Sequence, residues 1–219
     1  MPALPPRRAS ASKNSATLWQ DLGATILVFG LGYVFGAGLG IVLGLLVGIF
    51  PALRAVAEPY IAFFNAMPRI VLLPLLLVIL GFGYLPQVLL VALVIMFIVL
   101  MNVAAGVSEV RRDILNNARI LGANNLALIR HVYLPSVGLW VLSSARVTVG
   151  YALQATVAAQ VIGVGRGLGF RLIIAQTQYR ADEMFAVFAV LLLHAVIVDM
   201  VPAVVERRVR RWVPSIGES

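Results

Sequence analysis

Hydrophobic residues fall in long runs along this chain, and short polar or Gly/Pro-rich breaks separate the runs. Five runs reach the roughly 20 apolar residues that a helix needs to cross about 30 Å of hydrocarbon. They cover residues 22–50, 59–80, 87–107, 136–162 and 184–205. The pattern predicts an all-α polytopic bundle with five transmembrane spans in a domain of residues 18–212. A Pro/Ser/Ala-rich arm at residues 1–17 is expected to be disordered, and residues 213–219 form a short tail.

The break between the third and fourth runs, residues 109–135, is polar and basic but keeps a helical period. Its apolar residues recur at spacings near three and four: Ile114, Ala118, Leu121, Leu126 and Ile129. Such a spacing gives a helix one apolar face. A basic amphipathic hairpin between two spans is therefore predicted to be a docking element outside the bilayer.

The first run carries a glycine at every fourth position: Gly32, Gly36, Gly40, Gly44 and Gly48. On a helix this spacing makes one continuous groove without side chains, which lets a neighbouring backbone approach closely. Each glycine costs about 1 kcal/mol of helix propensity in water, so five in register require a packing reason. The spacing predicts a tight helix–helix interface, and a hinge or pore-lining face is the alternative.

The predicted spans also contain residues that a regular helix in hydrocarbon disfavours. Pro68 and Pro74 remove backbone donors and are expected to kink the second span. The polar residues within or near spans are Arg69, Arg146, Gln154, Gln160 and Asp199. Such groups normally face a bundle interior, a partner or water. An Arg146–Asp199 pair is geometrically possible, and we expect Arg146 to line or brace a polar pathway; Arg69 could equally snorkel to an interface.

Composition supports a membrane protein and excludes several kinds of chemistry. The chain is 61% hydrophobic and 12% charged, far from soluble averages, and its mean hydropathy is +0.98. A net charge of +8 would suggest nucleic acid in a soluble protein, but basic loops beside spans explain it here. The chain has no cysteine, and His131 and His194 lack ligand-spaced partners. No phosphate-loop, dinucleotide or zinc-helix motif occurs, so no catalytic site, cofactor or metal is expected in this chain.

Arginine placement predicts which ends of the spans face the cytoplasm. The loop and tail arginines are Arg111, Arg112, Arg119, Arg130, Arg207, Arg208, Arg210 and Arg211. The tendency of basic residues to remain inside places residues 109–135 and the C-terminus in the cytoplasm. Residues 163–183 then lie outside. Five spans also place the N-terminus outside, despite Arg7, Arg8 and Lys13; a missing sixth, N-terminal span is the alternative.

The segment from Asn116 to Pro135 resembles the EAA loop of ABC-importer permeases. Ala118, Gly122 and Leu134-Pro135 stand at the spacing of that motif, with Val132 in place of its isoleucine. Asn116 and Asn117 replace its Glu and first Ala. EPYIAFFNAMPRIVLLPLLLVILGFG and GVGRGLGFRLI are similar to segments of the nitrate, sulfonate and taurine permeases. The resemblance covers most of the chain, although members of that group usually have six spans.

This resemblance implies a type I importer permease, with the methionine-permease core, that works as a dimer. The loop would form a coupling helix in a groove of a separate ATPase dimer, which binds ATP and Mg²⁺. A periplasmic or lipid-anchored solute-binding protein would deliver the substrate to these multi-pass subunits of the bacterial inner membrane. The implied coupling residues are Asn116, Asn117, Ala118, Arg119, Leu121, Gly122, Ala123, Leu126, Arg130, Leu134 and Pro135. Because Asn116 lacks the motif's charge, its contact with the ATPase is expected to be weaker.

The substrate implied by the resemblance is a small anion such as a sulfonate, taurine or nitrate. Arg146, Arg166 and Arg171 would suit such an anion. An amino-acid importer of the methionine type and an importer of vitamin precursors are alternatives within the same class. An ion-coupled secondary transporter would need inverted repeats and paired intramembrane carboxylates, which the sequence does not show. A membrane scaffold would have no use for the hairpin.

Overall fold

The computed structural model describes residues 7–163 and 165–210, and every regular element in this part of the chain is helical. The helices are α1 (Arg7–Ile49), α2 (Pro51–Ala66), α3 (Leu72–Leu80), α4 (Tyr84–Ser108), α5 (Arg112–Ile120), α6 (Asn125–Leu128), α7 (Leu134–Ile162), α8 (Leu168–Thr177) and α9 (Ala181–Arg210). Residues 1–6, Arg211 and the tail at 213–219 lie outside the described residues. The fold class is the all-α bundle that the hydrophobic pattern predicts.

Among the described residues, four helical stretches are long and apolar enough to cross a membrane: Thr17–Ile49, Tyr84–Ser108, Asn125–Leu142 and Ala181–Val204. The pair Pro51–Ala66 and Arg69–Leu80 adds a fifth if the bent pair is one span. The structure differs from the expectation at the N-terminus, because residues 7–17 are helical and continuous with the first span. These residues contain no proline and several alanines, so nothing in them stops the helix from extending.

Helices α1 and α4 lie side by side and run parallel, with the glycine groove of α1 facing α4. A Cβ on Gly32 would meet Val91 Cβ at 2.5 Å, and one on Gly48 would meet Val107 Cβ at 2.7 Å. Residue numbers therefore increase in the same direction along both helices, which shows that the helices are parallel. A Cβ added to Gly36, Gly40 or Gly44 would likewise lie 2.5–2.7 Å from the backbone oxygen of Ala92, Met96 or Leu100, respectively. The missing side chains are what allow this backbone-to-backbone contact.

Helix α7 packs antiparallel to α4. A Cβ on Gly106, near the end of α4, would meet Trp140 in the first half of α7. Gly163, at the end of α7, lies against Gln87 near the start of α4. The core between α1, α4 and α7 is formed by small and branched residues, including Val28, Val91, Ile95, Val99, Val103, Val137 and Ala152. Helices α8 and α9 pack on α7 and on each other, and α8 also contacts α1.

The second span is broken into α2 and α3, which meet at an angle of 81°. The break lies at Met67, whose extended backbone (φ −82°, ψ 132°) is the conformation that a following proline favours. Pro68 precedes a 3₁₀ turn at Arg69–Val71, and α3 starts directly after it. The expected kink at Pro74 is wrong, because Pro74 lies in the first turn of α3, where its missing N–H has no helical partner.

The glycine groove makes a direct prediction about stability. Gly40→Ala should lower the melting temperature by several degrees, because its Cβ would lie 2.7 Å from Met96 O and 2.8 Å from Val99 Cβ. Gly38→Ala is the matched control on the same helix, since its Cβ would have nothing within 4 Å. Thermal unfolding of the purified protein in detergent measures both. Equal melting temperatures for the two variants would contradict the close contact of α1 and α4.

Candidate functional site

The segment between α4 and α7 forms a helical hairpin beyond the end of α4. Helix α5 ends at Ile120, and Gly122 turns the chain with a φ of +86°, a conformation that other residues rarely adopt. The side chain of Asn124 then caps α6, because its Oδ1 accepts a hydrogen bond from the Ala127 N–H at 2.8 Å. The backbone conformation of Gly122 and the Asn124 cap thus set the tight turn between the two helices.

One face of the hairpin packs on the bundle, and the opposite face is exposed. Leu115, Ala118, Ala123 and Ile129 pack against the core formed by α1, α4 and α7. Ala118 and Ala123, two of the implied coupling residues, therefore pack on this chain's own core, and so does Ile129. The open face carries the apolar side chains of Ile120, Leu121 and Leu126, which are 82%, 87% and 72% exposed. Ile120 was missed from sequence because it does not follow the three-and-four spacing of the apolar face.

The polar hairpin residues are also exposed and surround this apolar tip. They are Asn116, Asn117, Arg119 and Arg130. Leu134 and Pro135 begin α7, which does not start afresh but continues from α6 through a π-turn at Ile129–Tyr133. Such single π-helical turns are rare and occur mostly as local interruptions inside longer helices. The hairpin is consequently joined to α7 without a flexible linker.

A second feature is a cavity of about 460 Å³ on the inner side of the α2–α3 break. Its polar lining residues are Asn65, Arg69, Tyr151 and Gln154, and its apolar ones include Val94 and Ala158. The break in α2–α3 places Arg69 here, facing α4 and α7 rather than the end of its helix. The structure thus brings Arg69 and Gln154 to one cavity.

The remaining sequence-predicted polar residues lie elsewhere. Arg146 of α7 donates to both carboxylate oxygens of Asp199 on α9, with Nη2–Oδ2 at 2.8 Å and Nε–Oδ1 at 3.1 Å. Neither residue lines the cavity beside Arg69. Gln160 is completely buried near the end of α7, where it contacts the segment that leads into α8. Arg146 therefore links α7 to α9, and Gln160 holds α8 against α7.

Arg171 lies in a buried ion cluster at the end of the bundle opposite the hairpin. Its Nη2 lies 2.8 Å from Glu183 Oε1, and its Nη1 lies 3.1 Å from Asp21 Oδ2. Nη1 also donates to Thr17 Oγ1 at 2.8 Å. Its side chain is 10% exposed. The expectation that Arg171 attracts an anionic substrate is therefore wrong, because two carboxylates of this chain already neutralise it. Arg166 remains exposed.

The start of α8 is fixed to α1 and α7 by side-chain caps. The Leu168 N–H donates to Thr25 Oγ1 at 2.9 Å, and the Gly169 N–H donates to Gln160 Oε1 at 3.1 Å. These N–H groups belong to the first turn of a helix and have no partner within it. A Cβ on Gly167 would collide with the Gln160 amide. Asp21, Thr25 and Glu183 were not predicted from sequence, because only the fold brings them to Arg171 and α8.

The ion cluster predicts a large loss of stability when its cation is removed. Arg171→Gln should cost about 3–5 kcal/mol, because Asp21 would lose its cation and Glu183 would keep only Arg180, which is 45% exposed. Arg111→Gln is the control, because its pair with Asp113 is 76% and 73% exposed and worth about 0–1 kcal/mol. Thermal unfolding in detergent would show the difference, and similar small losses for both variants would argue against a buried network.

The pair of Arg146 and Asp199 can be tested by exchanging its charges. Arg146→Asp and Asp199→Arg should each reduce the yield of monodisperse protein, because each places like charges side by side within the spans. The double variant should recover most of the yield, since it restores one cation beside one anion. Size-exclusion profiles of the three variants measure this. A double variant no better than the worse single one would exclude a direct pair.

Comparisons with known proteins agree with this architecture. One chain of the MetNI methionine ABC transporter, in an inward-facing structure, superposes with a TM-score of 0.77 at 20% identity, covering 89% of this chain and 97% of that one. This likeness shows that the two chains share a fold.

Sequence relatives give the family. The taurine transport system permease protein TauC of Escherichia coli (strain K12) is 30% identical over 197 residues, which are 90% of this chain and 72% of TauC. The nitrate import permease protein NrtB of Leptolyngbya laminosa is 25% identical over 157 residues, which are 72% of this chain and 56% of NrtB. A model of the binding-protein-dependent transport system inner membrane components matches residues 36–211. Because that match spans most of the chain, this protein belongs to the family of binding-protein-dependent transport system inner membrane components.

Proposed function

We propose that this membrane permease is driven by a separate ATPase subunit that docks on the hairpin at residues 109–135. The observation that carries the proposal is the apolar tip of the hairpin. Ile120, Leu121 and Leu126 are all at least 72% exposed, although they lie beyond the end of α4 and outside its hydrophobic span. Large apolar side chains together on a polar, basic element are typical of a helix that fills a groove on a partner.

The hairpin is built to transmit a movement of that partner into the bundle. Its inner face packs on the same core as α1, α4 and α7. Its second helix continues into α7 through the π-turn, so a displacement of the tip acts on α7 directly. Since α7 is also tied to α9 through Arg146 and Asp199, the movement reaches both. A packed core passes on such displacements because it does not deform continuously.

The energy for this movement would come from the partner. The sequence contains no phosphate-binding loop, so ATP and Mg²⁺ are assigned to the ATPase subunits and hydrolysis to them alone. The basic residues of the hairpin and of the end of α9 support a cytoplasmic position for both. The ion cluster around Arg171 then lies at the outer end, where a solute-binding protein would deliver substrate.

A second copy of the chain would complete the pathway. None of the residues of α2 is buried, and in α3 only Leu73 is. A bent helix pair that is this poorly covered, beside a polar cavity, fits an interface with a second copy better than contact with lipid alone, because lipid would leave the cavity open on one side. The proposed permease is therefore a dimer with the cavity near its centre.

The substrate we propose is a small anion, such as a sulfonate, taurine or nitrate. The names of TauC and NrtB refer to taurine and nitrate, and this chain is similar to both over most of its length. An importer of amino acids is the second candidate, because the methionine permease has the same fold. Uptake of radiolabelled taurine, nitrate and methionine by vesicles that contain the whole complex would distinguish them.

The docking role of the hairpin can be tested by co-purification. Leu121→Asn should abolish recovery of the ATPase subunit with tagged permease, because it removes an apolar side chain from the tip. Tyr179→Asn is the control: Tyr179 is 94% exposed near the opposite end, and its φ of 54° suits asparagine. Asn116→Glu should preserve or raise recovery by adding a charge-assisted contact. If Leu121→Asn retains the ATPase as well as the control does, the hairpin is not the docking element.

A further inference from the structure

We infer that Arg69 is the substrate-binding residue of the pathway and that it binds the oxyanion group of a small anionic substrate in the cavity at the α2–α3 break. This inference rests on the proposed function, and it assigns the anion contact to one residue. Three observations carry it: the neutralisation of Arg146 and Arg171 by carboxylates, the incomplete hydrogen bonding of Arg69, and the chemistry of the cavity lining.

Two other arginines of the helical bundle have carboxylate partners. Arg171 is paired with Asp21 and Glu183, and Arg146 is paired with Asp199. Arg69 has no carboxylate partner among the described residues, and no acidic residue lines its cavity. A cation in a membrane span normally faces a partner or water, because its charge is costly in hydrocarbon. An anion that enters the cavity would supply the charge that this chain does not.

The guanidinium of Arg69 is held in place while its hydrogen-bonding capacity is mostly unused. Nη2 donates to Asn65 Oδ1 at 2.6 Å, and Cζ lies 5.4 Å from the centre of the Phe97 ring. Asn65 is the one acceptor that the described part of the chain offers it. Its Nε is buried and has no hydrogen-bond partner there. A guanidinium has five N–H donors in a rigid fork that matches two oxygens of an oxyanion.

The remaining cavity wall suits a small anion with a short apolar part. Tyr151 and Gln154 offer a hydroxyl and an amide that can donate to further oxygens. Val94 and Ala158 offer apolar contacts. The volume of about 460 Å³ lies within the roughly 300–1,000 Å³ typical of ligand pockets. A tetrahedral sulfonate and a planar nitrate both present two oxygens side by side, which a guanidinium can bind in parallel.

The absence of cysteine from the sequence allows a clean test. Ala158→Cys places one thiol in the cavity wall, and intact mass spectrometry of the permease chain reports its modification. The nucleotide-free complex in nanodiscs is treated with an anionic reagent, sulfonatoethyl methanethiosulfonate, or a cationic one, trimethylammonioethyl methanethiosulfonate. The ratio of the two rates reports the charge beside the thiol. Ethanesulfonate at constant ionic strength serves as the competing anion.

With Arg69 present, the anionic reagent should be preferred, and ethanesulfonate should slow it. Arg69→Gln should lower the rate ratio about tenfold and abolish competition, because a nearby unit charge is lost. Arg69→Lys should keep the ratio but weaken competition, since an ammonium cannot bond two oxygens in parallel. Arg54→Gln is the matched control, because Arg54 is exposed and lines a different cavity. It should change neither quantity.

Two outcomes would overturn the inference. The first is an unchanged rate ratio in Arg69→Gln. The second is a failure of ethanesulfonate to slow labelling of the Ala158→Cys protein, or an equal slowing in Arg69→Gln. Either result would mean that Arg69 affects the charge near the thiol but does not bind the anion. Recovery of the ATPase with each variant is measured separately. Failure of the labelling test with the ATPase bound rejects the anion site alone, whereas loss of the ATPase from the parent protein rejects the proposed function.

Discussion

The structure depends on the close parallel contact of α1 and α4. Along this contact a Cβ on any of the five spaced glycines would lie 2.5–2.8 Å from an atom of α4, so even alanine would push the helices apart. Close backbone approach matters in a membrane, because lipid removes the hydrophobic drive between helices and leaves packing to hold them together. The pair then provides a firm surface on which α7 and the inner face of the hairpin pack. The proposed transmission of movement from the hairpin into the bundle requires such a firm surface.

The charged residues of the bundle differ from one region to another in whether a carboxylate of the same chain neutralises them. At the end of the bundle opposite the hairpin, the buried group of Asp21, Arg171 and Glu183 joins α1, α8 and α9, and side-chain caps fix the start of α8. Arg146 and Asp199 join α7 to α9. In both places the charges are neutralised within the chain and serve to connect helices. Arg69 differs, because its partners are an amide and an aromatic ring, and its cavity is open to a ligand.

The α2–α3 break and the hairpin show how local chemistry creates a functional shape. Pro68 forces an extended residue before it, and the resulting bend turns Arg69 into the bundle. Gly122 and Asn124 similarly set the turn of the hairpin, which leaves Ile120, Leu121 and Leu126 in the open. The two sites are connected through α7, because α7 continues from the hairpin and also carries Tyr151 and Gln154 of the cavity. A movement of the hairpin would therefore alter the cavity wall.

Residue periodicity and segment length were enough to predict the helical class, the apolar segments and the presence of an amphipathic hairpin. The four-residue glycine spacing also specifies a close helix contact, since a groove along one helix has no other packing use. The ion-pair partners of the buried charged residues could be identified only from the tertiary structure. It paired Arg171 with Asp21 and Glu183, separated by 150 and 12 positions, and so removed Arg171 from the candidates for substrate binding. It also turned Ala123 and Ile129 inward and exposed Ile120, because which side of a helix is covered depends on what the rest of the chain places against it.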